Sequence, residues 1–243
     1  MKGVILAGGN GKRLTPFTSF INKHLLPVYN QPMVYYPLQT LIKSGIKDIL
    51  LITNRNQIKH FRNIFGSGSS YGIKLQYAAQ NKPIGIADAL KSAARFTNGS
   101  KIAVILGDNI FTSTFEREIK LFNKKTGAMI FLKEVDDPTS FGVAILDKNK
   151  IVGIEEKPKK PKSNFAVTGL YLYNSDVFNK LKLNDPSGRG EFEITSINNM
   201  YIDDDRMDYK IIKGEWIDAG TFENLAKANT LMTEKFLKKN GKN

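Results

Sequence analysis

Three glycines and two cations stand together where an apolar run ends: Gly3-Val4-Ile5-Leu6 leads through Ala7 into Gly8-Gly9-Asn10-Gly11-Lys12-Arg13. Successive glycines let backbone N–H groups approach a phosphate chain with no Cβ in the way. Arg13 adds a planar fork suited to phosphate oxygens. The stretch is not a P-loop, which needs glycine at Leu6 and Ser or Thr at Arg13. Nor is it the dinucleotide fingerprint, which counted from Gly9 needs glycine or alanine at Leu14. The bland alternative is a glycine-rich turn joining strand to helix. Two further carboxylates end apolar runs, Asp108 after Ile102-Ala103-Val104-Ile105-Leu106-Gly107 and Asp218 after Trp216-Ile217. Spacing alone does not separate a metal ligand from a helix cap or turn residue at either position.

The elements that must position these groups change character along the chain. In the first half, apolar strands alternate with helical patterns: KGVILAG, a helix in PMVYYPLQTLIKSG closed by Gly45, DILLITN, NQIKHFRNIFG, KLQYAAQ, a helix in IGIADALKSAARF, and KIAVILGDN. Continuously apolar strands with helix-length connections predict a doubly wound, mostly parallel sheet buried on both faces. Ligands of such sheets bind at the carboxyl ends of the strands, where the glycine loop lies. From about Met129 the strands AMIFLKEV, GVAILD, KIVGIEEKP and FAVTGLYLYN follow one another closely, an antiparallel or mixed addition. The helices SDVFNKLKL and EITSINNMYIDDD, the strands MDYKIIKG and EWIDAG, and a last helix FENLAKANTLMTEKFLKKN complete the pattern. No linker or repeat interrupts it. One α/β domain over 1–243 is expected, with a Rossmann-like nucleotide half over 1–127 and a smaller mixed half over 128–243.

Composition narrows the chemistry. With no cysteine, neither a disulfide framework nor a thiolate metal site can form. With only His24 and His60 as imidazoles, a zinc site has few ligands to draw on. The 243 residues carry 36 Lys+Arg against 23 Asp+Glu, a net charge of +13. The cations are scattered as on solvated helix faces, and the dense runs lack interleaved aromatics for base stacking, which argues against nucleic acid. The N-terminal apolar run is too short for a signal peptide or membrane span. A cytoplasmic protein that binds neither membrane nor nucleic acid is expected.

The residues after the glycine loop are more specific. LAGGNGKRLTPFTSFINKHLLPVYNQPMVYYPLQTL resembles the opening of the nucleotide-sugar pyrophosphorylases, within them most the thymidylyl-transferring branch. Further similarity runs in order through QNKPIGIADAL, LGDNIF, FGVAILD, EEKPKKPKSNFAVTGLYLY, RGEFEITSINNMY and WIDAGT. The resemblance implies attack of a sugar 1-phosphate oxygen on the α-phosphorus of a nucleoside triphosphate, assisted by Mg²⁺. The implied substrates are dTTP and glucose 1-phosphate; UTP or another hexose 1-phosphate is the close alternative, and a non-catalytic nucleotide-sugar-binding protein the alternative of another class.

By the same resemblance, Arg13 and Lys23 grip the triphosphate, and Asp108 and Asp218 hold the metal. Leu6, Gly8, Gly9, Gly11, Gln80 and Gly85 line the nucleotide, with Gln80 on the pyrimidine edge. On the sugar side, Asn109, Gly142, Val167, Gly169 and Tyr171 line the pocket. Glu156 would accept sugar hydroxyls and Lys157 would bind the sugar phosphate. The chain departs from the family pattern with Lys12 for threonine, His24 for glutamine, Phe141 for tyrosine and Ala219 for threonine. It also stops soon after its last helix, whereas longer relatives continue into a segment serving an effector site and subunit contacts. A homo-oligomer is still expected.

Overall fold

A computed structural model describes residues 1–80, 85–183 and 192–240. The expected start of the helix at 84 and the segment 184–191 lie outside the described residues. The first half contains β1 (Lys2–Leu6), the small hairpin β2 (Pro27–Val28) and β3 (Gln31–Pro32), α1 (Tyr35–Lys43), β4 (Asp48–Asn54), α2 (Ile58–Phe65), β5 (Lys74–Gln80), α3 (Ile86–Lys91), α4 (Ala94–Thr97), β6 (Ile102–Leu106), β7 (Asn109–Phe111) and α5 (Glu116–Phe122). Then come β8 (Ala128–Glu134), β9 (Gly142–Asp147), β10 (Lys150–Glu156), β11 (Phe165–Tyr173), α6 (Val177–Lys182), α7 (Ile194–Asp203), β12 (Met207–Ile211), β13 (Trp216–Asp218) and α8 (Phe222–Asn240).

Among the described residues, one nine-stranded sheet organises the molecule. Its parallel core runs β6-β1-β4-β5, and Val4, Ile5, Leu50, Leu51, Val104 and Ile105 are all buried within it. Continuous apolar strands fit here because both faces are covered: Ile5 and Leu51 face one core with Leu41 and Phe61, Val4 and Leu50 the other with Leu90 and Tyr201. β11 joins this core to the second half, pairing antiparallel with β6, β8 and β9. Its register against β8 shifts between Val167 and Tyr171, the interval that holds Gly169. The two-stranded ladder of β7 and β13 lies apart from the main sheet and sets Asp218 opposite Asn109.

Two expected helices differ in extent. The one expected from Pro32 begins at Tyr35, because Gln31–Pro32 is taken up by the hairpin with Pro27–Val28. Its end holds: Gly45 adopts φ +85 beyond Lys43, the left-handed position a glycine cap favours. The helix expected through 96 is broken into α3 and α4 around Ser92 and the fully buried Ala93. No described helix is long and apolar enough to cross a membrane.

Candidate active site

Because β1 and β6 are parallel neighbours with Leu6 beside Leu106, the loops leaving their carboxyl ends lie side by side. One carries the glycines, the other Asp108. Gly11, at φ +60, opens the 3-10 turn Lys12–Leu14. A Cβ at Gly11 would stand 2.8 Å from Thr18 Cγ2 and 3.1 Å from Lys23 Cβ. Glycine therefore lets the returning segment close over the loop, where Thr18 Oγ1 donates to the Gly11 carbonyl at 2.9 Å.

Lys23 is held by a buried polar knot. Asn22 Oδ1 accepts from the His24 backbone N–H at 2.9 Å and lies 2.8 Å from His24 Nδ1. The Asn22 amide nitrogen donates to the Ala7 carbonyl at the end of β1, as does Thr53 Oγ1 from β4 at 2.8 Å. His24 is 1% exposed, and burial, reinforced by the Lys23 charge, lowers its pKa to about 3. It is a neutral imidazole held within the fold.

The Lys23 ammonium is paired with Asp108 Oδ2. Burial pushes the Asp108 carboxyl up, but the Lys23 charge together with hydrogen bonds from Lys23 and Asn109 holds the group below the usual carboxylate range. Asp218 is brought beside it by the β7/β13 ladder, and the next residue's N–H, Ala219, donates to the Asp108 carbonyl at 2.9 Å. Burial and then the Asp108 charge raise the Asp218 pKa to about 6. Arg13 leans over this turn: a Cβ at Gly220 would stand 2.8 Å from both Arg13 Nη2 and Asp218 Oδ1. Among the described residues no cluster of three or more His, Asp or Glu is arranged around a metal position. Two neighbouring carboxylates are nonetheless the donor set that Mg²⁺ takes when substrate phosphates and water complete its shell.

A cleft of about 530 Å³ extends from this centre in both directions. At one end Gln80 closes β5, is buried, and comes so near Gly8 that a Cβ there would stand 2.0 Å from Oε1. Leu6, Gly9 and Gly85 line the same end. Gly85, at φ +128, also lies where a Cβ would stand 2.4 Å from the Phe192 carbonyl, so its backbone packs on the segment leading to α7. At the other end are Gly142, Glu156, Lys157, Val167, Gly169 and Tyr171. Lys157 leaves β10 in the left-handed region, φ +46, and its backbone N–H donates to the Phe141 carbonyl at 2.9 Å. Burial, then the charges of Glu156, Asp218 and Asp108, raise the Tyr171 phenol far above its ordinary range, so it remains a hydroxyl donor.

Every expected site residue thus borders this cleft. Several contributors were not anticipated. Thr195 Oγ1 donates to Glu156 Oε2 at 2.5 Å from the start of α7. Trp216 packs against Phe141 with ring centres 5.0 Å apart, and its indole N–H donates to Asn109 Oδ1 at 2.6 Å. The signal for Trp216 was present: it is the only tryptophan, two residues before Asp218.

Comparison with known proteins agrees with this geometry. The family model described as nucleotidyl transferase matches residues 2–235. A glucose-1-phosphate thymidylyltransferase of Neisseria gonorrhoeae is 46% identical over 94% of this chain and 81% of its own length. One from Mycolicibacterium smegmatis is 43% identical over the same shares. A Bacillus anthracis protein assigned as a glucose-1-phosphate thymidylyltransferase, crystallised with sucrose, superposes with a TM-score of 0.91 at 47% identity, covering 95% of this chain and 94% of that one. A UDP-glucose pyrophosphorylase with UDP-glucose bound shares the fold at TM-score 0.85 and 24% identity, over 96% of this chain and 98% of that one. The chain belongs to the nucleotidyl transferase family.

Proposed function

We propose that this protein is a Mg²⁺-dependent glucose-1-phosphate thymidylyltransferase, making dTDP-glucose and pyrophosphate from dTTP and glucose 1-phosphate. The observation that carries the reading is the pair of aspartates, buried Asp108 and half-buried Asp218, with Lys23 and Arg13 against them, midway along a two-ended cleft. The names of the relatives support the choice of substrates.

In the reaction, a 1-phosphate oxygen of the sugar phosphate bonds to the α-phosphorus. The bond from that phosphorus to the bridging oxygen breaks, and pyrophosphate leaves with the electron pair. No protein nucleophile is needed, in keeping with a chain without cysteine. The work is to align two anions and neutralise charge. Arg13 and the backbone of Gly8, Gly9 and Gly11 take the phosphate chain. Lys23 transfers its charge from Asp108 to the phosphate oxygens as they arrive. Mg²⁺ held by Asp108 and Asp218 would neutralise and orient those oxygens. Gln80 reads the pyrimidine edge with one acceptor and one donor. Glu156, steadied by Thr195, accepts sugar hydroxyls, and Lys157 meets the sugar phosphate.

Pyrophosphate release with glucose 1-phosphate and Mg²⁺, compared across dTTP, UTP, dATP, dCTP and GTP, tests this. Fastest release with dTTP, lost in Asp108→Asn, is expected. Release led by UTP would keep the mechanism and change the nucleotide. No release with any nucleotide or hexose 1-phosphate would leave a binding protein only.

A further inference from the structure

Asn109 borders the cleft, and its side chain is engaged inside the protein. It is 1% exposed. Its Oδ1 accepts two hydrogen bonds, from the Trp216 indole N–H at 2.6 Å and from the Gly169 backbone N–H at 2.9 Å. Its Nδ2 donates to Asp108 Oδ1 at 3.1 Å. We propose that Asn109 is a positioning residue for the Asp108 carboxylate, and that Trp216 and Gly169 fix the direction of its amide.

The chemistry of the donors makes the orientation unambiguous. An indole N–H and a backbone N–H can only donate, so the end of the amide facing both of them is the oxygen. The nitrogen end then has no choice but to face Asp108. Turning the amide over would set two donors against a donor and a carboxylate against a carbonyl. With water excluded, none of those losses is recovered. Asp108 is consequently held at both oxygens before any ligand arrives, Oδ1 by Asn109 and Oδ2 by Lys23.

Two features of the sequence follow from this arrangement. A Cβ at Gly169 would stand 2.5 Å from Asn109 Oδ1, so β11 carries glycine where the amide docks. Phe141 packs on the indole and holds it in line with the amide. Trp216, on the sugar side of the cleft, thereby acts on the metal carboxylate 108 residues earlier through one intermediary.

The inference rests on the reading of Asp108 and Asp218 as metal ligands, and its test reads metal binding directly. Mn²⁺ binding is titrated by electron paramagnetic resonance in the presence of dTTP and without sugar phosphate, for the full chain and for Trp216→Phe, Asn109→Ala and the double variant. Trp216→Phe keeps an aromatic ring and removes only the N–H and part of the ring area. Outer hydrogen bonds of this kind carry about tenfold in metal affinity, so each single variant should bind Mn²⁺ about tenfold more weakly. The double variant should bind no more weakly than Asn109→Ala alone, because Trp216 acts only through the amide. Metal-free dTTP binding and the circular dichroism spectrum should be unchanged. Unaltered Mn²⁺ affinity in Trp216→Phe, or a second full loss in the double variant, would overturn the positioning role while leaving the metal reading intact. Failure of the wild-type chain to bind Mn²⁺ would overturn the metal reading and this inference with it.

Discussion

The Lys23 ammonium lies against Asp108 Oδ2, tying the segment that follows the glycine loop to the carboxyl end of β6. This contact neutralises the buried one of two neighbouring carboxylates while the cleft is empty. Removing the lysine takes away the cation paired with Asp108 and leaves its charge beside that of Asp218. Taking away one partner of a buried pair costs about 3 kcal/mol. Lys23→Met should therefore lower stability by about that amount at neutral pH, as measured by urea unfolding, besides abolishing turnover. A loss below about 0.5 kcal/mol, the range of an exposed pair, would show that the contact does not matter to the fold.

Asp218 gives a pH dependence of defined sign. Its folded pKa of about 6 lies above its ordinary value of 3.8, so between those pH values the folded state keeps a proton that the unfolded chain has lost. Stability from this group is full below about pH 4 and declines as pH rises through 6. In EDTA, Asp218→Asn should gain on the wild type across that window, by about 2 kcal/mol at pH 7 relative to pH 4. Adding Mg²⁺ should narrow the gap. A pH-independent difference between the two proteins would contradict the raised carboxyl.

His24 acts in the opposite direction. Its folded pKa of about 3 lies below the ordinary 6.5, so the unfolded chain binds the extra proton and stability falls as pH drops below 6.5. His24→Gln should resist acid unfolding better than the wild type, with the midpoint moved to lower pH. Its rate profile between about pH 6 and 8 should keep its shape, since the imidazole is neutral throughout. A lost basic or acidic limb in that profile would restore histidine as a participant in the reaction.

Gly8 and Gln80 offer a test at the nucleotide end. A Cβ at Gly8 would fall 2.0 Å from Gln80 Oε1, and the buried Gln80 has little room to withdraw. Gly8→Ala should raise the KM for the nucleotide about tenfold with a smaller change in kcat, the loss of about 1.4 kcal/mol of binding. An unchanged KM would mean that Gln80 does not contact the base.

Much of this site was legible in the sequence because parallel sheets gather ligands at the carboxyl ends of their strands. The glycine loop, Gln80 and Asp108 each stand where an apolar strand stops, and period and punctuation locate strand ends well. The resemblance to a known family supplied roles that spacing alone could not, for Asp218 and Glu156 above all. What stayed hidden depends on contacts between residues far apart in the chain. Nothing local to Asn109 says that its amide meets Trp216 across 107 residues, or that Thr195 reaches Glu156 across 39. The fate of His24 was hidden for the same reason, since its burial is set by Asn22, Ala7 and Thr53 together. The break between α3 and α4 was masked by a helical period that continues across it.

The most direct test of the account follows the α-phosphorus itself. dTTP radiolabelled at that atom is incubated with glucose 1-phosphate, Mg²⁺ and the full chain, beside Asp108→Asn and Asp218→Asn. The account predicts label in a nucleotide sugar for the wild type, and little or none for either variant. Label remaining in the triphosphate with the wild type, or transferred equally well by both variants, would contradict it.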